Sequence, residues 1–343
     1  MKYWQYLVRR VAGIVVSLLG LSVIIFITSR VLPGNPARMA LGPLASDEQV
    51  RELTAEMGLN KPLLFQYFDY MQGLLVGDLG TSLETKRAVT TDVMQYLPAT
   101  LELITVSMTM TILLGIPLGV IAAQNKDGLT DNVTRFIAFF SVSVPGFFIA
   151  IIFQLVFGYL LEWFPITGRL ASAYAGNVSK FTGFLLVDTL LSGNVTAHIN
   201  AWMHILLPAL ALSLAGIGQV MRITRSSMID VKDQDYVEAE RGFGLPSWLV
   251  TYKYTLKNAF IPTLTILGLL YASLLGNAFL IELVYSWPGL ASYGVTAVLN
   301  NDFNAVVGVT MTIGIAFVSI NFLVDILLGR VDPRIRLAME DAT

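Results

Sequence analysis

Six long apolar runs, each uncharged through its centre, alternate with polar segments along this chain. They lie at about 11–28, 99–122, 136–160, 204–221, 263–283 and 305–328. Each approaches the roughly 20 residues that an α-helix needs to cross a hydrocarbon core about 30 Å thick. The pattern predicts an all-α polytopic membrane protein with six transmembrane helices, and residues 1–343 read as a single transmembrane domain. The first run exceeds the apolar region of a signal peptide. The Arg30 to Gly34 stretch after it offers no small-x-small cleavage site, so the run reads as an uncleaved span.

The polar segments carry their own signals. In the long excursion 33–97, Pro33 to Pro36 (PGNP) predicts a turn or extended segment. Ser46 and Gln49 form a capping box that opens a short helix ending at Gly58. Lys61-Pro62 starts a second helix, whose Leu63, Leu64, Tyr67, Phe68, Met71, Leu74 and Leu75 cover more than one stripe. That helix is expected on the membrane surface or against other subunits. Pro117 and Pro145 fall inside spans and predict kinks, and Pro208 falls in the first turn of the fourth span. Gly183 to Leu191 is apolar but too short to cross and is broken by Asp188, which suits the interface. Asn132, Asn177 and Asn194 each begin an N-x-S/T triplet.

Segment 222–262 is the long polar stretch enclosed by spans in the second half. Asp233 or Asp235 is placed to cap a helix carrying Tyr236, Val237, Glu238, Ala239, Glu240 and Arg241, ending at Gly242 or Gly244. Pro246 suits the first turn of a second helix through Trp248, Val250, Tyr252 and Leu256. Helix, glycine turn and helix make a firm knob at the membrane surface. The plain alternative is a solvated loop of mixed charge.

Charge sets the sidedness. With six spans both termini share a side, and that side holds Lys2, Arg9, Arg10, Lys126, Arg135, the basic residues of 222–262, and Arg330, Arg334 and Arg336. The shorter outer segment holds only Arg169 and Lys180, and the first outer loop is too long for the rule to apply. The knob and both termini are therefore expected in the cytoplasm, with the chain in the cell membrane of a prokaryote. Composition agrees. The chain is 55% hydrophobic and 13% charged, where a soluble protein has about a quarter charged. Its net charge of −2 gives no sign of nucleic-acid binding. There is no cysteine for a thiolate site, and His198 and His204 do not share a helical face.

The sequence holds no G-x-x-x-x-G-K-S/T phosphate loop and no visible catalytic constellation, so catalytic residues, metal and cofactors are expected to be none. Glu102, Glu162 and Glu282 fall near outer span ends and Asp325 near an inner one. The mid-span polar groups are neutral: Gln154, Gln219, Asn277 and Asn321. An ion-coupled carrier would place an ionisable group there. Ser143, Gln154, Gln219 and Asn277 are the candidate pathway residues, with helix–helix hydrogen bonding as their plain alternative.

From end to end the chain resembles the B-type permease of the dipeptide/oligopeptide/nickel family of binding-protein-dependent ABC importers. The residues that carry the likeness are Arg9-Arg10, Pro33 to Pro36, Gly58 to Pro62, Gln66-Tyr67, Gly77 to Ser82, Thr182 to Thr189 and Leu207 to Ala209. Arg222 to Met228, Glu282 to Leu290 and Asp332 to Arg336 continue it. Glu238-Ala239, Gly244 and Asn258 to Pro262 resemble the family's EAA loop. Glu240, Gly242, Phe243 and Pro246 depart from its usual residues. The resemblance implies a type I ABC importer permease fold with a cytoplasmic coupling-helix loop. Asp235, Tyr236, Val237, Glu238, Ala239, Glu240, Arg241, Gly244 and Leu245 would then meet an ATPase. It also implies a homologous second permease, two ATP-binding subunits, an extracytoplasmic substrate-binding protein and surrounding membrane lipid. Peptides lead as the cargo, with oligosaccharides, nickel or opines as alternatives. An ion-coupled secondary transporter is the rival from another class.

Overall fold

Helical hydrogen bonding runs past several of the apolar stretches that signal the helices. The computed structural model describes residues 3–31, 36–42, 44–56 and 58–331. The first half contains α1 (Tyr3–Val31), α2 (Pro36–Leu41), α3 (Asp47–Glu56), α4 (Leu63–Leu75), α5 (Val89–Gln124), α6 (Leu129–Ser143) and α7 (Gly146–Phe153). It continues with α8 (Ser172–Ala175), α9 (Leu185–Leu191), α10 (Val195–Lys232), α11 (Asp235–Gly242), α12 (Ser247–Leu249), α13 (Lys257–Val284), α14 (Leu290–Leu299) and α15 (Phe303–Val331). Gln154–Leu160 extends α7, and Val250–Leu256 joins α12 to α13, both as wider π-helical turns. Among the described residues five helices are long and apolar enough to cross a membrane. The bent pair Leu129–Ser143 and Gly146–Leu160 makes six if it is one span.

The helices correct several expected boundaries. α10 has 38 residues, roughly 57 Å at 1.5 Å per residue, far more than the hydrocarbon core requires. The run 204–221 is only its apolar middle. Asn194 caps its start, where Oδ1 accepts from the Ala197 N–H at 3.0 Å, so the Asn194 triplet serves here as a helix cap. Pro208 consequently lies inside the helix rather than in its first turn. α5 begins at Val89, not near 99, which shortens the outer loop and sets Glu102 well within a helix. Pro117 lies within that unbroken helix, whereas Pro145 interrupts its own span. Val144 takes the extended conformation (φ −95°, ψ 128°) that proline imposes on its predecessor, and α6 and α7 meet at 103°. The turn expected at 33–35 and the motif at 332–336 lie outside the described residues.

The chain divides into two compact units, with divisions inside α5, between Trp287 and Pro288, and inside α15. One contains Leu101–Trp287 and residues 320–331. Here α10 is the axis, packed on α6, α7, α9 and α13. It approaches α5 closely at Gly119, where a Cβ would lie 2.7 Å from Thr224 Cβ and 2.8 Å from the Met221 carbonyl oxygen. Small residues permit such approaches between helices in lipid, where burial by itself drives little association. Val120, Ala123, Met228 and Ala259 form a buried cluster joining α5, α10 and α13.

The other unit contains the residues up to Thr100 and Pro288–Ser319. Its core joins Val89, Val93, Leu290, Tyr293, Ala297 and Val309, with Tyr96 stacked on Tyr293 at 5.0 Å. The capping box is present: Gln49 N–H donates to Ser46 Oγ, and Ser46 N–H to Gln49 Oε1. α4 turns Tyr67 toward α1, bonding Ser22 at 2.8 Å, and leaves Leu64, Phe68 and Leu75 exposed. Asp302 ties the outer loop down, its carboxylate accepting from Ser82 Oγ and from the N–H groups of Leu83, Glu84 and Ala305. Asp302→Ala strands these donors and is expected to cost on the order of 3 kcal/mol, with Asp302→Asn losing less. Thermal unfolding of the purified protein measures both, and equal melting for wild type and Asp302→Ala would refute this role.

Candidate functional site

The knob begins where α10 runs out of apolar neighbours. Neither aspartate caps α11; Gln234 occupies that position, and Asp235 is the first helical residue. An acidic residue there still complements the helix dipole. Val237 is fully buried and pins α11 down, and the Asn258 amide donates to Tyr236 Oη at 3.0 Å. Asp235, Glu238, Ala239 and Arg241 are exposed, while Glu240 and Leu245 are half-buried.

The end of α11 is a Schellman turn. Gly244 N–H donates to the Arg241 carbonyl at 2.9 Å and Leu245 N–H to that of Glu240 at 3.4 Å. Gly244 has φ +75°. Pro246 then stands as the N-cap residue, just before the first turn of α12. From Ser247 the chain is helical without a break to Val284. Two aromatics named from the sequence flank the turn in exposed positions: Phe243 is 82% exposed and Trp248 65%. Large apolar residues in a charged segment invite a partner.

The candidate pathway residues do not form one group. Gln219 and Asn277 come together in a cavity of about 370 Å³ between α7, α10 and α13, with Pro145, Gly146 and Ser273 in its wall. Ser143 lines a different cavity, beside Arg222. Gln154 is committed elsewhere. Its amide donates to the Ile166 carbonyl at 2.6 Å and to that of Val284 at 3.2 Å, fastening the π-helical turn to the start of the outer segment.

Two buried charge pairs escaped the sequence reading. Asp131, fully buried, accepts from Arg225 Nε at 2.5 Å and Nη2 at 2.7 Å. Arg135 adds an ion pair at 3.1 Å, and the Asp127 N–H donates at 2.9 Å. Glu102 accepts from Arg169 at 2.5 Å and from the Leu186 N–H at 2.7 Å, while Arg169 stacks over Trp287. These partners lie far apart in sequence, which hid them. Asp188, expected at an interface, is buried under its own loop. Burial pushes its carboxyl up, but hydrogen bonds from the Thr182 hydroxyl and the N–H groups of Thr182, Gly183 and Phe181 outweigh this and hold it below the usual carboxylate range. The histidines are bound locally, His198 to Thr189 and Trp202, and His204 to the Asn200 carbonyl.

Five helices long and apolar enough to cross a membrane among the described residues, or six with the bent pair, define the class of polytopic membrane proteins. Within that class the chain belongs to the family of binding-protein-dependent transport system inner membrane components. It matches that description over residues 115–337 and the family's N-terminal part over residues 3–104. Its fold is therefore that of a type I importer permease. A probable D,D-dipeptide transport system permease of Escherichia coli is 39% identical, over 98% of each chain. A dipeptide transport system permease of Alkalihalophilus pseudofirmus is 36% identical over 96% of this chain and 99% of its own length. A glutathione transport system permease of Pectobacterium atrosepticum is 31% identical over 97% and 99%.

Proposed function

We propose that this chain, acting as one transmembrane domain, is a peptide-carrying subunit of an ATP-driven importer. It would share its pathway with a second, homologous permease and receive cargo from an extracytoplasmic binding protein. Two ATPase subunits would bind from the cytoplasm. The observation that carries the proposal is the exposed α11–Gly244–α12 hairpin, which follows α10 after Asp233 and Gln234 and runs without a break into α13. Asp235, Tyr236, Val237, Glu238, Ala239, Glu240, Arg241, Gly244 and Leu245 form or support the surface that meets the ATPase. Closure of the ATPases pushes this hairpin, and the spans switch between inward- and outward-open states. Gln219 and Asn277 offer both donors and acceptors to a passing peptide bond, and a neutral lining passes peptides of differing charge. Full-length likeness to dipeptide and glutathione permeases supports peptides as the cargo.

The test is co-purification with the ATPase subunits, followed by reconstitution with the binding protein. Peptide uptake is expected only with ATP and all partners present; ATP turnover by this chain alone would refute the proposal. Sidedness is checked separately. The chain lacks cysteine, so Lys253→Cys gives a single label site. A membrane-impermeant maleimide is expected to reach it only in opened cells. Labelling in intact cells would overturn the cytoplasmic assignment of the knob and both termini.

A further inference from the structure

A second cavity of about 370 Å³ lies between α6 and α10, in the same unit as the knob but separate from the Gln219–Asn277 opening. Its two walls follow one rule. On α6, Arg135, Phe139 and Val142 stand at i, i+4 and i+7, and on α10, Gly218, Met221, Arg222 and Arg225 follow the same spacing. Such residues share one helix face. Arg225 meets Asp131 near the start of α6, and Gly218 packs against Ala138 and Ser141 farther along it, so the helices run antiparallel. Both walls therefore place arginine at the same end and apolar groups at the other. The apolar stretch beyond Arg135 is about 10 Å long.

The charges at the basic end do not cancel. Asp131 faces Arg225 and Arg135, and Asp127 also faces Arg135 at 3.5 Å. Asp131 takes Nε and Nη2 of Arg225, and Arg135 gives its Nη2 to Asp131, Asp127 and, at 2.8 Å, Asn132 Oδ1, so among the described residues Nη1 of Arg225 and Nε and Nη1 of Arg135 have no acceptor. Among the described residues Arg222 has no acceptor and is exposed at the mouth. Guanidinium forks match phosphate oxygens bidentately. Phe139 is 73% exposed and Val142 44%, forming an apolar floor beside the arginines.

We propose that this trough binds an anionic phospholipid, with its phosphate held by Arg222 and Arg135 and an acyl chain along Phe139 and Val142. The polarity gradient along the trough is that of a lipid entering from the bilayer, and its charge complements an anionic headgroup. The lipid braces the α6–α10 junction one turn from the Asp131–Arg225 pair. This site does not depend on the cargo proposed above.

The full chain is purified in detergent and examined by native mass spectrometry with equal phosphatidylglycerol and phosphatidylcholine. Phosphatidylglycerol is expected to be retained preferentially, and Arg222→Gln is expected to weaken that preference about fivefold. Among the described residues Arg222 makes no ion pair, so this variant removes none. Lys253→Gln, a basic residue outside the trough, is expected to change nothing, and Phe139→Asn to lower retention of both lipids. The proposal is overturned by absence of a headgroup preference or by equal loss in Lys253→Gln. Displacement of the lipid by inorganic phosphate or by a dipeptide at equal concentration also overturns it, since either identifies a different ligand.

Discussion

Gly244→Val is expected to leave expression and membrane insertion near normal while transport falls at least tenfold. With φ +75°, Gly244 occupies the left-handed region, which costs a non-glycine residue on the order of 1–2 kcal/mol and a β-branched one more. No neighbouring atom lies within 4 Å of an added Cβ, so the penalty is entirely conformational. The chain's response is to move the turn, and with it the placement of α11 relative to α12. That displacement lies at the proposed ATPase-facing surface and away from the buried clusters, which separates coupling from folding. Gly242→Ala is the control. Gly242 is helical and also has open space around it, so alanine fits and slightly favours the helix. Uptake in reconstituted vesicles, normalised to inserted protein, measures both. Wild-type transport by Gly244→Val, or equal damage from the two substitutions, would show that Gly244 is not the turn of a coupling element.

Asp131→Ala is expected to destabilise the protein by about 3–5 kcal/mol, because it leaves Arg225 partly buried without its counter-ion. Four donors converge on this carboxylate: Arg225 Nε and Nη2, Arg135 Nη2 and the Asp127 N–H. Helices α6 and α10 meet here, ahead of the knob in sequence. The loss is therefore expected to lower both the melting temperature and transport. Asp131→Asn combined with Arg225→Gln removes the charges but keeps hydrogen-bonding groups, and should recover part of the stability lost in Asp131→Ala. Thermal unfolding in detergent separates the variants. A melting temperature unchanged in Asp131→Ala would show that the pair is energetically idle, and a double variant no better than Asp131→Ala would show that shape rather than charge matters.

Much of the knob was legible because its signals are local. Gly244 follows a helix-length segment and precedes Pro246, and short-range backbone preferences alone place a left-handed turn there. The capping box at Ser46 and Gln49 was readable for the same reason. Asp235 shows where local reading stops. Two aspartates were available as caps, yet Gln234 takes the position, because the end of α10 and the burial of Val237 fix where α11 begins. Gln154, Gln219 and Asn277 looked alike as neutral groups within apolar runs. Two line one cavity and the third is consumed by backbone carbonyls, a difference made by packing among α7, α10 and α13.

By itself the sequence determined that this is a membrane-crossing, all-helical chain with a structured polar hairpin between its fourth and fifth apolar runs. Hydropathy, proline and glycine act over one to a few turns, and no distant residue is needed to interpret them. Helix extent, charge pairing and cavities were decided only by tertiary structure. Hydropathy reports the solvent that a residue prefers, while helical hydrogen bonding continues wherever packing supports it, so α10 extends from Val195 to Lys232 around an apolar middle. Asp131 and Arg225 stand 94 positions apart, and Glu102 and Arg169 stand 67 apart. Nothing local to either partner announces the other. A buried charge is tolerated only where folding brings its counter-ion and donors to it, and that meeting is a property of the folded chain.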